Sequence, residues 1–268
     1  MIDVRALVGS HDILFITFDT LRYDVAQMMW REGRTPALAA LLPPAGWEER
    51  HSPATFTFAA HQAFFAGFFP TPPGDAKEAR PFALRFPGSA SIGARTAVFD
   101  APDIVSGLGG RGYHTICIGG VGFFNPATPL GTVLPGLFRE RHFDRRLGVT
   151  EVRSTEHQVA LAVRRLAELP RDQRVFLFVN ISAIHHPNRG YLPGAERDSL
   201  ASHAAALAYV DGQLPPLFQA LRRRAPTFAV LCSDHGTAYG EDGQRGHRLA
   251  HPVVWTVPYA EALLAEEA

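Results

Sequence analysis

The chain of 268 residues is long enough for one large domain or two small ones. Its 26 basic and 26 acidic residues balance, so no global field favours a nucleic acid or an anionic membrane as partner. No signal-peptide pattern opens the chain, and no apolar run approaches the ~20 residues of a membrane helix, so we expect a cytoplasmic protein. The two cysteines, Cys117 and Cys232, lie in apolar runs and are predicted to be buried free thiols.

Strand-like and helix-like patterns alternate along the chain. Thr155 and Gln158 predict a capping box at the start of one helix. Residues 71–93, rich in Pro, Gly and Ser, are predicted to be a long surface excursion, and 122–148 show no clear period. The elements predicted in chain order are a strand at 13–18, helices at 25–30, 36–42, 58–66 and 103–109, a strand at 115–118, a helix at 155–169, a strand at 175–181, a mostly helical segment at 200–224 with an interruption at Pro215-Pro216, and strands at 228–232 and 253–257. This alternation predicts one doubly wound α/β domain over residues 1–268.

Two of the predicted strands end in residues of metal-binding types. Asp19 follows the strand at 13–18, and Asp234-His235 follow the strand at 228–232. Because sites in open α/β sheets lie at the carboxyl ends of strands, these side chains are expected to converge on a divalent cation. Two carboxylates and one imidazole suit Mn²⁺ or Zn²⁺ better than Ca²⁺. The alternative is a strand-end aspartate that caps a turn beside a packed histidine.

Two hydroxyl groups lie just before the helix at 58–66. Thr55 and Thr57 are candidate nucleophiles, because an alcohol becomes reactive when a cation or a base lowers its pKa. A helix N-terminus also favours an anionic group such as phosphate or sulfate. The alternative is that Thr57 only caps the helix.

Several segments, taken in order, form a set that is known from other proteins. They are the run Asp19-Thr20-Leu21-Arg22-Tyr23-Asp24 with Thr35-Pro36, residues 112–119, residues 179–181 with His185-His186-Pro187 and Tyr191, and the C-terminal blocks Ser233-Asp234-His235-Gly236, residues 240–243, Gly246-His247 and Val257-Pro258. With these segments the chain resembles the alkaline phosphatase/sulfatase superfamily, and its sulfatase-like hydrolase branch most closely. The resemblance implies an alkaline-phosphatase-like α/β/α sandwich with a mostly parallel central sheet, without the C-terminal subdomain common in sulfatases.

The resemblance also selects between the two threonines. Sulfatases have Thr-Gly ten residues after their nucleophile, and here Gly67 lies ten residues after Thr57. His61 stands where sulfatases have an arginine. Thr57 thus takes the nucleophile position and Thr55 is second choice. Threonine cannot be converted into the formylglycine of sulfatases, whereas phosphodiesterase and phosphotransferase branches use threonine, so a phosphate-type ester is expected.

Some members of this superfamily bind two metal ions, and this sequence differs from them. Those members hold the second ion with an Asp-x-x-x-His pair and a further histidine, and this sequence has no such pair. We therefore expect one ion, Mn or Zn, with a second uncertain. His185 and His247 are expected to contact the transferred group or protonate the leaving oxygen, or else to be hydrogen-bonded loop residues. His61, His186 and His251 are expected to be structural.

Together these predictions describe a metal-dependent hydrolase or transferase of phosphodiesters or phosphomonoesters. Asp19, Thr57, Asp234 and His235 are the predicted metal ligands, with Thr57 attacking the ester. Arg22 either contacts an anionic substrate or forms a salt bridge. The substrate is expected to be a small molecule or a lipid- or peptide-linked ester, and the oligomeric state stays open. The alternatives are a non-catalytic binding protein that kept the fold, and a sulfatase-like or mutase-like activity.

Overall fold

The computed structural model describes residues 2–67 and 103–266, together with the backbone of two short strands between them. The predicted surface excursion at 71–93 lies outside the described residues, apart from the backbone of one of these strands. The strands are β1 (Asp12–Phe18), β2 (Glu48–His51), β3 (Phe82–Ala83), β4 (Ala97–Val98), β5 (His114–Ile118), β6 (Glu140–His142), β7 (Val175–Ile181), β8 (Thr227–Ser233), β9 (Ala238–Tyr239), β10 (Arg245–Gly246) and β11 (Thr256–Leu264). The helices are α1 (Val4–Leu7), α2 (Tyr23–Arg31), α3 (Pro36–Ala39), α4 (Thr57–Ala66), α5 (Ile104–Gly110), α6 (Ser154–Glu168), α7 (Leu200–Gln213), α8 (Pro215–Arg224) and α9 (Pro252–Trp255).

The central sheet of the described chain has seven strands in the order β2-β11-β8-β1-β7-β5-β6. Strand β1 pairs in parallel with both β7 and β8, and β5 pairs in parallel with β7 and β6. Strand β11 pairs antiparallel with β8 and with β2. The predicted mostly parallel sheet is therefore confirmed.

Helices cover both faces of this sheet. Leu14 and Ile16 of β1 belong to a core cluster with residues of α2, α6, α7 and α8. Ile13 and Phe15 point to the opposite face, into a second cluster with residues of α4 and α5. Because successive side chains of a strand alternate between the two faces, a continuous apolar run is what a strand buried on both sides requires. The predicted α/β/α sandwich is confirmed.

Proline chemistry explains two element boundaries. Helix α7 ends at Gln213 and α8 begins at Pro215, because proline lacks a backbone N–H and is tolerated in a first helical turn. The strand predicted at 253–257 is wrong in its first half. Pro252 opens the short helix α9, His251 caps it by accepting from the N–H of Val253, and the strand begins only at Thr256.

The capping box predicted at Thr155 is wrong as well. Helix α6 begins at Ser154, and its N-cap residue Arg153 makes no side-chain capping bond. The amide of Gln158 instead donates to the carbonyl oxygen of Asn180 at 2.6 Å, and so ties α6 to strand β7.

Both cysteines are buried and unpaired, as predicted. Among the described helices, none combines the length and the apolar character that crossing a membrane would take.

Candidate metal-binding site

The ends of the neighbouring strands β1 and β8 place two carboxylates side by side. Phe18 lies opposite Ser233 in the register, so Asp19 and Asp234 leave the sheet at the same point. The ligand atoms of Asp19, Asp234 and His235 all lie within 4.8 Å of one another, and the three side chains are fully buried. The convergence predicted from the two strand ends is therefore present. These residues, together with Thr57, are called the acidic site below.

The carboxylate of Asp234 is held through one oxygen only. Its Oδ1 accepts from the backbone N–H groups of Thr20 at 3.2 Å and His235 at 3.0 Å. Thr20 adopts a left-handed backbone conformation with φ 65°, which is strained for a β-branched residue. Asp234 Oδ2 has no hydrogen-bond partner among the described residues and lies 3.6 Å from Nε2 of His235.

The carboxylate of Asp19 is arranged in the same way. Its Oδ2 accepts from the Asn180 amide at 3.2 Å and from the Thr57 hydroxyl at 3.3 Å. Its Oδ1 has no hydrogen-bond partner in the described chain and lies 3.9 Å from Nε2 of His235. A buried carboxylate oxygen without a partner is costly unless a cation occupies the space in front of it. Two such oxygens around one imidazole nitrogen are the donor set that a divalent cation needs.

The ring of His235 is oriented for metal binding. Its Nδ1 lies 2.9 Å from the carbonyl oxygen of Gly236. A carbonyl oxygen only accepts, so Nδ1 carries the proton and Nε2 presents a lone pair to the two carboxylates. Gly236 is required here, because a Cβ at this position would lie 2.0 Å from the carbonyl oxygen of Val253.

The electrostatics of the acidic site are unfavourable without a cation. Burial raises the pKa of Asp234 to about 7. Burial, with the neighbouring charge of Asp234, raises the pKa of Asp19 to about 6. Burial lowers the pKa of His235. A bound divalent cation reverses this situation, because it stabilises ionised carboxylates and a neutral imidazole. The mixed oxygen and nitrogen donors fit Mn²⁺ or Zn²⁺.

Thr57 is the threonine that reaches the acidic site. It is the first residue of α4, whose N-cap is Phe56, so the interpretation of Thr57 as the cap is wrong. Its hydroxyl donates to Asp19 at 3.3 Å and lies 3.4 Å from Nε2 of His235. The partial positive charge of the helix N-terminus adds to the field at this hydroxyl. Thr55 lies two residues earlier and is half-buried, and its carbonyl accepts from the N–H of Arg248 at 2.9 Å.

His61 and Asn180 form hydrogen bonds to residues of the acidic site. Nδ1 of His61 donates to the carbonyl oxygen of Thr57 at 2.7 Å, so Nε2 accepts from the Thr17 hydroxyl at 2.9 Å. Burial lowers the pKa of His61 to about 3, which keeps this ring neutral. The amide of Asn180 donates to both Thr17 and Asp19. Asn180 had no predicted role, although its polar side chain stands out within the apolar run of β7.

Three further histidines form a second group beside the acidic site. The ligand atoms of His185, His186 and His247 lie within 4.8 Å of one another. The ring of His247 is 4.7 Å, centroid to centroid, from the ring of His235. His186 was expected to be structural, yet it stands in this group, called the histidine cluster below. His251 lies apart and pairs with Asp242 at 3.0 Å.

Arg22 forms the salt bridge that the sequence left as an alternative. Its side chain is buried, its Nε donates to Asp24 at 2.9 Å, and its Nη1 contacts Glu241. These bonds occupy both ends of its guanidinium. Arg248, an exposed arginine with no predicted role, follows His247 in the chain and stacks over the Phe56 ring at 5.5 Å. Its charge acts on His235 and His247 and helps to lower their pKa values.

The sequence matches no protein-family model and no curated protein. Several solved structures share its fold. The integral membrane lipooligosaccharide phosphoethanolamine transferase A of Neisseria meningitidis matches with a TM-score of 0.64 at 14% identity, over 95% of this chain and 48% of that chain. The chain thus spans about half the length of that protein.

Two further structures extend the comparison. The C-terminal periplasmic domain of EcEptC from Escherichia coli, in complex with zinc, matches with a TM-score of 0.65 at 13% identity, over 96% of this chain and 73% of that chain. A protein of the alkaline phosphatase superfamily from Vibrio parahaemolyticus matches with a TM-score of 0.56 at 16% identity, over 96% of this chain and 60% of that chain. The chain therefore has the fold of the alkaline phosphatase superfamily, as the sequence resemblance predicted.

Proposed function

We propose that the protein is a metal-dependent enzyme that hydrolyses or transfers a phosphate-type ester with Thr57 as nucleophile. The observation that carries this proposal is the position of the Thr57 hydroxyl, 3.3 Å from Asp19 and 3.4 Å from His235. Asp19 and Asp234 each have one buried carboxylate oxygen without a hydrogen-bond partner in the described structure, and these two oxygens fit a cation. The fold is shared with solved phosphoethanolamine transferases, which supports a phosphate ester as substrate.

Asp19, Asp234 and His235 would hold one divalent cation, Mn²⁺ or Zn²⁺. Such a cation supplies Lewis acidity, which lowers the pKa of an adjacent hydroxyl and neutralises charge on the transferred group. Asp19 Oδ2 already accepts the hydrogen bond of Thr57 and is the nearest base for its proton. The N-terminus of α4 contributes further stabilisation of negative charge.

The reaction proceeds by attack of the Thr57 oxygen on phosphorus. A Thr57–phosphorus bond forms while the bond to the leaving oxygen breaks, which gives a phosphothreonine intermediate. Water releases the phosphoryl group in hydrolysis, and an acceptor alcohol releases it in transfer. Both outcomes require the same residues, so the acidic site by itself supports either.

In this proposal His185 and His247 contact the transferred group or the leaving oxygen. Burial, with the neighbouring His235 and His185, lowers the pKa of His247 to about 3, so its imidazole is neutral near neutral pH. An incoming anionic group raises the pKa of a nearby imidazole and favours a proton on it. Protonation of the leaving oxygen from this side would complete the reaction.

The substrate class is a phosphodiester or phosphomonoester, either of a small molecule or linked to a lipid or a peptide. The lipooligosaccharide named for the Neisseria transferase makes the lipid-linked form worth testing here. The cytoplasmic location stays a prediction, which fractionation of cells that express the protein would test.

The direct test is turnover of an aryl phosphodiester and an aryl phosphomonoester by Mn²⁺- or Zn²⁺-loaded protein. Thr57→Ala is expected to lower kcat by about 10³-fold or more, because the attacking group is lost. Thr55→Ala is the matched control and is expected to keep nearly full activity. Full activity of Thr57→Ala would remove this residue from the mechanism. Protein that purifies without stoichiometric metal and turns over neither ester would instead support a non-catalytic binding protein.

A further inference from the structure

A pocket of about 310 Å³ lies at one edge of the central sheet, between the edge strand β6, the turn that follows it and helix α6. Strands β5 and β7 separate β6 from β1, which amounts to three strand spacings, about 14 Å in all. The residues that line the pocket belong neither to the acidic site nor to the histidine cluster. It is called the basic pocket below and is defined by Arg141, Phe143, Arg146, Leu161 and Arg164.

Positive charge dominates the lining of the basic pocket. Arg141, Arg146 and Arg164 are exposed, and Asp144 is the only carboxylate that the described residues contribute to the lining. Asp144 is engaged by Arg146, with Nη2 and Oδ2 3.0 Å apart. The guanidinium groups of Arg141 and Arg164 form no ion pair within the described chain. Three guanidinium groups against one carboxylate leave two positive charges here, in a chain whose 26 basic and 26 acidic residues balance.

Imidazoles and apolar side chains complete the lining. His157 of α6 is half-buried, and its ring has no hydrogen bond to any described residue. His142 of β6 lies 2.5 Å from Oε1 of Glu140. Phe143 and Leu161 are half-buried and form an apolar wall. Guanidinium groups recognise phosphate-type anions through paired N–H donors, whereas an apolar wall suits a ring or a short hydrocarbon group.

We propose that the basic pocket is a second ligand site, which binds a small organic molecule with a phosphate-type anionic group. Arg141 and Arg164 donate to the anionic group, while Phe143 and Leu161 contact the organic part. The two arginines lie on different elements, β6 and α6, so a group that both contact must lie in the pocket between them. The excess of two positive charges matches a dianion. This inference stands whether or not Thr57 attacks an ester.

Titration calorimetry with phenylphosphonate tests the inference, because this compound has an anionic group, an apolar ring and no ester bond to cleave. The titrations use Asp234→Asn, so that an anion bound to a cation in the acidic site does not contribute. We expect one equivalent of bound phenylphosphonate. Addition of Arg141→Gln and Arg164→Gln is expected to weaken this binding about tenfold or more, because both charge-assisted hydrogen bonds are lost. Both side chains are exposed, so the core packing is unchanged.

Arg139→Gln combined with Arg145→Gln is the matched control. These exposed arginines belong to the same segment but do not line the pocket, and their replacement removes the same charge. The affinity for phenylphosphonate is expected to stay unchanged. An equal weakening in the control would show a response to general surface charge and would overturn the site. The absence of saturable binding by Asp234→Asn would overturn it as well.

Two fragments of the probe separate the contributions of the anionic group and the ring. Inorganic phosphate lacks the ring, and benzyl alcohol lacks the anionic group, so each is expected to bind more weakly than phenylphosphonate. Inorganic phosphate that binds as tightly would refute the contact of an organic group with Phe143 and Leu161. Benzyl alcohol that binds as tightly would refute the role of the two arginines.

Discussion

The acidic site and the histidine cluster lie next to each other but are built in different ways. Asp19 and Asp234 stand at the ends of two paired central strands, and each has one carboxylate oxygen fixed by hydrogen bonds. His185, His186 and His247 stand on two separate loops, and His186 is exposed. A site fixed by a sheet is set in place by the fold itself, whereas a site on loops depends on how those loops pack. Chemistry that needs fixed geometry is therefore expected to fail more completely when the acidic site is altered.

Turnover is the largest expected difference between the two groups. Asp234→Asn keeps the oxygen that accepts the N–H groups of Thr20 and His235 but removes the charge. We expect it to lower kcat on an aryl phosphodiester by about 10³-fold or more, since the cation that is proposed to activate Thr57 would be lost. His186→Asn is expected to lower kcat by about tenfold, as for a residue that only orients His185 and His247. If steady-state assays give the same loss of kcat for both variants, the acidic site is no more important for turnover than the histidine cluster.

The stability of the metal-free protein is expected to fall with rising pH because of the acidic site. Burial raises the pKa of Asp19 to about 6 and of Asp234 to about 7, from 3.8. Between pH 4 and 7 the folded state thus binds more protons than the unfolded state, so these groups lower the free energy of unfolding as pH rises. For the two groups together the loss is on the order of 7 kcal/mol, since each unit by which a pKa rises is worth about 1.4 kcal/mol.

Urea unfolding in the presence of a chelator, at several pH values, measures this loss. Asp234→Asn lacks one of the two buried charges, so at pH 8 it is expected to be more stable than the wild type without metal. Addition of Zn²⁺ should reverse the order, because only the wild type gains a fully liganded cation in the acidic site. A metal-free Asp234→Asn variant that is less stable than the wild type at pH 8 would contradict this description of the electrostatics.

Asn180 allows a test of the support behind the acidic site. Its amide donates to Asp19 and Thr17, and none of the hydrogen bonds of the described residues joins it to the histidine cluster. Asn180→Ala is expected to weaken manganese binding by about 10- to 100-fold, the usual effect of losing a group that orients a ligand. Titration calorimetry measures this change. An unchanged affinity for manganese would show that the Asn180 amide does not orient Asp19.

The smallest expected effect concerns the strained backbone at Thr20. Its φ of 65° turns the N–H toward Asp234. A left-handed conformation costs about 1–3 kcal/mol for a residue with a Cβ, and glycine avoids that cost while its unfolded chain is more flexible. Thr20→Gly is therefore expected to raise the free energy of unfolding by about 1 kcal/mol, as measured by urea unfolding of the metal-loaded protein. A destabilised variant would show that the Thr20 side chain contributes packing that outweighs the strain.

The acidic site was accessible from the sequence because its residues follow long apolar runs. The run at 175–181 matches β7 in full, and those at 13–18 and 228–232 fall within β1 and β8. Strands buried on both faces have continuous apolar sequences, so their ends can be located and their carboxyl-end residues placed together. The spacing from Thr57 to Gly67 likewise matches α4, which ends at Ala66 with Gly67 in a left-handed conformation.

Other features of the fold and the site could not be predicted from the sequence, for physical reasons. Strand β2 at Glu48–His51 consists of exposed residues, and β6 is a three-residue strand at the sheet edge, so neither has an apolar pattern. The role of His186 depends on how the loops after β7 and β10 meet, which local sequence does not encode. The same holds for Asn180, whose polar side chain is explained only by Asp19 on the neighbouring strand.

The central claim is that Thr57 attacks the ester beside a cation held by Asp19, Asp234 and His235. Acid quenching during turnover of an aryl phosphoester, followed by mass spectrometry of peptides, tests it most directly. The claim predicts one substrate-derived phosphoryl group on Thr57 in the metal-loaded wild type and none in Asp234→Asn. Sustained turnover with the phosphoryl group on another residue would contradict it.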